Sequence, residues 1–142
     1  MASKIFVDTD VIIDLLIDRQ PHADAASIIF DLADKKKLKL FASSICLNNV
    51  HYIVRKELGD KKTRTIIGEI LELVEILSVS GKDIENAVNS EFKDFEDAIQ
   101  HSVALGGKEI SAIVTRNTKD YKKSQIPVFN TETYVKMALK EG

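Results

Sequence analysis

The chain is predicted to fold as an α/β protein, a three-layer α/β/α sandwich around a central, mainly parallel sheet of four to five strands. Three observations carry that expectation. Short β-rich apolar runs alternate with longer segments of helical spacing along the whole chain, the pattern left by crossover connections between parallel strands. The first apolar run, Ile5-Phe6-Val7, delivers Asp8-Thr9-Asp10 straight into Val11-Ile12-Ile13-Asp14-Leu15-Leu16, so a buried strand leads directly into a helix. Finally, 142 residues with 44% hydrophobic content suffice for one core, so one domain spanning 1–142 is expected.

The elements follow in order. Ala23 to Ala33 places Ala25, Ile28, Ile29, Leu32 and Ala33 at helical spacing and runs out into Lys35-Lys36-Lys37, cations suited to a helix C-terminus. Leu38 to Ala42 reads as the second strand. Ser43 or Ser44 then caps a helix carrying Leu47, Val50, His51, Ile53 and Val54. Gly59-Asp60 breaks that helix. Thr63 to Leu73 resumes helical spacing through Ile66, Ile67, Ile70 and Leu71, and Ile76 to Val79 offers a third strand. Asp83 to Val88 makes a short helix. Asp94 to Leu105 makes a longer one, with Phe95, Ala98, Ile99, Val103 and Ala104 inward and Gly106-Gly107 at its end. Ile110 to Val114 is the fourth strand, Thr115 to Tyr121 a polar loop, Val128-Phe129 a fifth strand, and Glu132 to Leu139 a closing helix.

Composition sets further bounds. The single cysteine, Cys46, excludes an internal disulfide or a cluster of thiolate zinc ligands; it suits a reducing compartment and reads as a packing residue. No apolar segment reaches bilayer-spanning length, and the N-terminus lacks the layout of a signal peptide, so a cytoplasmic protein without membrane contact is expected. A formal net charge of −2 gives no global pull on polyanions. Nucleic-acid contact therefore falls to local cations: Lys35 to Lys37 with Lys39, Arg55 with Lys56, Lys61 and Lys62 with Arg64, and Arg116 with Lys119, Lys122 and Lys123. Arg116 and Lys119 are the best placed, because they share a loop with Asp120. The few aromatics form no ladder for base stacking.

Asp8 ends the first strand, Asp97 lies in the first turns of the helix after Phe92, and Asp120 sits in the loop after the fourth strand. If the first and fourth strands are neighbours, these acids converge over the sheet edge where open α/β folds bind ligands. Crowded carboxylates repel one another and lose hydration, so they invite a hard cation such as Mg2+ or Mn2+, which takes oxygen ligands. The structural alternative is that Asp10 or Thr9 caps the first helix while Asp8 merely ends a strand.

The same residues carry a resemblance. Ile5 to Leu16, Asp94-Phe95-Glu96-Asp97-Ala98 with Ala104, and Val114-Thr115-Arg116-Asn117-Thr118-Lys119-Asp120-Tyr121 together resemble the PIN domain, the nuclease fold of many bacterial toxin ribonucleases. The resemblance implies Asp8, Asp97 and Asp120 as catalytic and metal-binding acids, with Asn117 the alternative to Asp120 in the last loop. It also implies Mg2+ or Mn2+, an RNA substrate, a homodimer and a small antitoxin partner. Two positions depart from the family pattern. Asp10 stands where the family usually has Asn, and Asn49 stands where it has its second acid, a Glu; an Asn ligates through its carbonyl oxygen without charge.

The expected reaction is metal-dependent hydrolysis of RNA phosphodiester bonds, needing no histidine base. His101, one turn beyond Asp97, is read as a solvated or capping residue. Two alternatives stand beside it. Asp8-Thr9-Asp10 after a strand also resembles the opening of haloacid-dehalogenase-like phosphatases, and loss of charge at Asn49 is compatible with a non-catalytic nucleic-acid-binding or protein-interaction module.

Overall fold

The computed structural model describes residues 2–141. Five strands form one sheet: β1 (Ser3–Val7), β2 (Leu38–Ser43), β3 (Val74–Leu77), β4 (Ala112–Val114) and β5 (Val128–Phe129), in the order β3-β2-β1-β4-β5. Every neighbouring pair is parallel, with Phe6 opposite Phe41 on one side and Ile113 on the other. Helices α1 (Thr9–Leu16), α2 (His22–Asp34), α3 (Ser44–Leu58), α4 (Asp60–Ile70), α5 (Gly81–Val88), α6 (Phe95–Leu105) and α7 (Thr131–Glu141) supply the outer layers.

The pleat explains the three layers. Successive strand residues point to opposite faces. Ile5, Val7, Leu40, Ala42, Ala112 and Val114 join one core with residues of α1, α2, α3 and α7, while Phe6, Phe41 and Ile113 join a second with α5 and α6. Both faces are covered, which is why the strands read as continuous apolar runs rather than alternating ones. Phe6 and Ile113 are fully buried, and side chains of that size each stabilise the fold by roughly 1.5–3 kcal/mol.

The boundaries differ from the sequence reading in places. α4 begins at Asp60, immediately after Gly59, whose φ of 82° and ψ of 159° end α3 without an intervening loop. β3 lies two residues earlier than the apolar spacing suggests, because Val74 to Leu77 pairs with Leu40 to Ser43; Ser80 and Asp83 then form a capping box for α5. β4 is shortened to Ala112–Val114 by a turn in which Glu109 has φ 58°. The cap of α1 is Asp8 itself, not Asp10 or Thr9.

The chain leaves β1 toward β2 on one side and returns from β3 to β4 on the other. The C-terminal ends of β1 and β4 thus flank a switch point, the place where such sheets hold ligands.

Candidate acidic site

Asp8 lies at the last turn out of β1 in extended backbone (φ −79°, ψ 163°) and is 4% exposed. Its Oδ1 accepts hydrogen bonds from the Thr9 amide (2.7 Å) and Gln100 Nε2 (2.6 Å). Its Oδ2 accepts from Thr115 Oγ1 (2.8 Å) and the Tyr121 hydroxyl (3.4 Å). Gln100 Oε1 in turn accepts from Ser43 Oγ (3.1 Å), whose oxygen also caps α3 by accepting from the Cys46 amide (3.2 Å). One carboxylate thereby ties together the ends of β1, β2 and β4 and the body of α6. Burial nonetheless outweighs these donors and raises the Asp8 pKa.

Asp97 stands in the first turn of α6, where its amide donates to the capping Asp94 carboxylate (2.9 Å). The Tyr121 hydroxyl also lies 3.3 Å from Asp97 Oδ1, so a single phenol bridges the Asp8 and Asp97 carboxylates. Burial, with the charges of Asp8, Asp94 and Asp120, pushes Asp97 up to about 8. Asp10 is pushed up to about 7 by burial and by Asp8, although its Oδ2 accepts from the Arg116 amide (3.1 Å). Asp10 Oδ1 is buried without a hydrogen-bond partner among the described residues.

The acids open onto one cleft, lined by Asp8, Asp10, Asp94, Glu96, Asp97 and Asp120 with Asn117 and Arg19 beside them. Of the residues singled out from sequence, Asp8, Asp97, Asp120 and Asn117 are thus brought together. Asn49 stands to the side: its Nδ2 donates to Glu96 Oε1. Arg116 Nε lies 2.7 Å from Oδ2 of Asp14, a wholly buried carboxylate on α1, close enough for a strong ion pair though poorly aligned for a hydrogen bond. Its guanidinium, 30% exposed, thus pairs with Asp14 while its amide donates to the cleft acid Asp10. Lys119 is exposed and forms no ion pair among the described residues.

The histidines are engaged elsewhere. His22 and His51 pair with Glu132 and Asp60, each at 2.7 Å. His101 is 7% exposed rather than solvated and accepts from the Gln125 amide through Nε2 (3.0 Å); burial lowers its pKa and keeps it neutral. The Cys46 thiol is buried and pushed up to about 12, the chemistry of a packing residue.

Sequence reasoning missed Gln100, Thr115, Tyr121, Glu96, Asp94 and Arg19. Gln100 was within reach, since it follows Asp97 by three residues and so shares its helix face. Tyr121 adjoins Asp120, but nothing in its spacing marks it as a bridge between two acids. Arg19 lies just past α1 and takes its meaning only from the cleft it borders.

These donors fit a divalent ion of the hard class. All are oxygens, burial and then mutual repulsion raise the pKa values of Asp10 and Asp97, and a buried Asp10 oxygen stands without a partner. Among the described residues no trio of acidic, histidine or cysteine side chains is closed into an ion cage. Mg2+ ordinarily takes one or two carboxylates and completes its shell with water and phosphate.

Fold and site together define a class: a parallel α/β protein with an oxygen-lined acidic cleft at the β1/β4 switch point. The sequence model of the PIN domain matches residues 4–119, and the chain belongs to that family. It is 28% identical to Ribonuclease VapC1 of Aquifex aeolicus (strain VF5) over 138 residues, which covers 94% of each chain. Its fold is similar to that of VapBC2 from Rickettsia felis bound to a promoter DNA fragment, with a TM-score of 0.68 at 20% identity over 89% of this chain and 98% of that one. A toxin-antitoxin complex from Klebsiella pneumoniae gives a TM-score of 0.65 at 25% identity, covering 89% of this chain and 97% of that chain. Asp8 and Asp97 lie within the matched segment and Asp120 one residue beyond it. The phosphatase alternative is set aside, because the chain belongs to a different family.

Proposed function

We propose that this chain is a divalent-metal-dependent ribonuclease, the toxin of a toxin-antitoxin pair, acting on RNA in the cytoplasm. The observation that carries the reading is the convergence of Asp8, Asp97 and Asp120 on one cleft of a PIN-domain chain. Its kinship to Ribonuclease VapC1 supports the reaction class. The solved VapBC2 and toxin-antitoxin neighbours support the antitoxin.

Asp8, Asp97 and Asp120 are the residues that would hold Mg2+ or Mn2+, with the Asn117 amide oxygen beside them. Such an ion supplies an acidified water and neutralises charge developing on the phosphate. The protein's own contribution is orientation. Gln100, Thr115 and the Thr9 amide fix the Asp8 carboxylate, and Tyr121 sets its spacing from Asp97. Arg19, on the cleft and only loosely paired with Asp14 at 4.0 Å, and exposed Lys119 offer positive charge to flanking phosphates. Exposed Tyr52 on α3 and Leu71 just past α4 provide apolar surface for an antitoxin or for the second copy of a homodimer.

Cleavage of a mixed single-stranded and structured RNA pool tests the reading. With Mn2+ or Mg2+ the wild type cuts, and chelator, Asp8→Asn or Asp97→Asn each abolish cutting. Cleavage by Asp8→Asn at the wild-type rate sinks the proposal.

A further inference from the structure

We infer that Glu96 supplies from α6 the negative charge that neutral Asn49 withholds on α3, and that Asn49 is the positioning residue that holds it toward the cleft. The inference rests on the metal-site reading of the cleft.

Consecutive helix residues point about 100° apart, so Glu96 and Asp97 front the same cleft only because it wraps around the first turn of α6. Glu96 occupies the α3 side of that turn, where Asn49 Nδ2 donates to its Oε1. Both residues are half-buried. The two identities depend on each other. A glutamate at position 49 would set a second carboxylate against Glu96, and like charges at hydrogen-bonding range repel. An amide there instead donates to the carboxylate and restricts its rotamers. The ordinary alternative is a first-turn acid that merely complements the α6 dipole. Such an acid has no use for a donor from another helix, yet Glu96 has one.

Exchange of the two groups is the test, read as Mn2+ affinity by calorimetry on full-length chain stripped with EDTA, without RNA. Circular dichroism confirms folding of each variant. Glu96→Gln is expected to weaken Mn2+ binding about tenfold or more, and Asn49→Ala by a smaller factor of the same sign. The double variant Asn49→Glu with Glu96→Gln, which returns the carboxylate to α3 and the amide to α6, is expected to recover most of the loss. Affinity in Glu96→Gln within twofold of wild type, while Asp8→Asn abolishes binding, overturns the role of Glu96 and leaves the metal site standing. A double variant as weak as Glu96→Gln overturns the exchange. Undiminished binding by Asp8→Asn overturns the metal-site reading itself, and this inference with it.

Discussion

At the scale of single residues, the site is built by giving one carboxylate several tasks. Asp8 caps α1, accepts four hydrogen bonds and borders the cleft, so its orientation is set by neighbours more than by its own rotamer. Gln100 is the sharpest of these constraints, buried and hydrogen-bonded on both sides. Gln100→Leu keeps the volume and removes the donor; Mn2+ affinity should fall about 10–100-fold while the far-ultraviolet spectrum is unchanged. Arg116 illustrates the reverse case, a cation readable in sequence whose partner was not. Because its guanidinium faces buried Asp14, Arg116→Leu should destabilise the protein by about 1–3 kcal/mol in urea unfolding, less than a fully stranded charge would cost, since Arg19 stays 4.0 Å from the same carboxylate. A residue serving only as a phosphate contact would leave the urea midpoint in place. Asp8, Asp97 and Asp120 were legible because strand ends, helix starts and loops can be placed by local pattern. Glu96 and the Asp14–Arg116 pair were not, since each is defined by a partner 47 or 102 residues away; Gln100 could be placed on the Asp97 face of its helix, but not its hydrogen bond to Asp8, 92 residues away.

At the scale of elements, legibility followed the strength of the periodic signal. Of the helices flanking the acids, α6 was placed almost to the residue because apolar spacing follows its capping Asp94, whereas α1 was visible only as the helix after β1 and its cap, Asp8, was read as the end of the strand. β3 shifted because its register is set by pairing with β2, and pairing leaves no local mark in a run such as Leu73-Val74-Glu75-Ile76-Leu77. The α3–α4 corner is the clearest junction: Gly59-Asp60 was visible as a break, whereas the immediate restart at Asp60 depends on backbone geometry. Gly59 has φ 82° and ψ 159°, a region essentially reserved for glycine, yet an added Cβ would meet nothing within 4 Å. Gly59→Ala therefore isolates conformational strain from crowding. It should lower unfolding free energy by about 1–3 kcal/mol without changing Mn2+ affinity, because the corner lies outside the cleft.

At the scale of the whole molecule, the acidic cleft makes stability and function pull against each other, and pH exposes the balance. Asp10 and Asp97 are held near 7 and 8, against an ordinary aspartate value near 3.9, and Asp8, Asp14 and Glu96 are raised as well. Between about pH 4 and pH 8 the folded chain therefore keeps protons that the unfolded chain has released. Unfolding free energy changes with pH in proportion to protons bound unfolded minus folded, a negative difference here, so stability falls as pH rises through that window. His101, whose pKa is lowered by burial, opposes this near its ordinary value of about 6.5, and Asp60, Glu75, Asp83 and Glu132, whose pKa values are lowered, oppose it only at the acid end, near their ordinary values of about 4. Metal reverses the penalty, since ligation needs the ionised acids and a dication relieves their repulsion. At pH 8, Mn2+ at a hundred times its dissociation constant should add about 2.7 kcal/mol, a rise of about 8 °C in melting temperature for a domain of this size. In EDTA, melting temperature should decline steadily from pH 5 to pH 8. Asp97→Asn, lacking one of the titrating groups, should show a flatter decline, melt above the wild type at pH 8 and gain little from Mn2+. Scanning calorimetry of both proteins at several pH values, with and without metal, decides the matter. A wild-type melting temperature that climbs with pH in EDTA would mean that burial and mutual repulsion do not hold the acids protonated, and the cleft would then lose its physical reason to bind a cation.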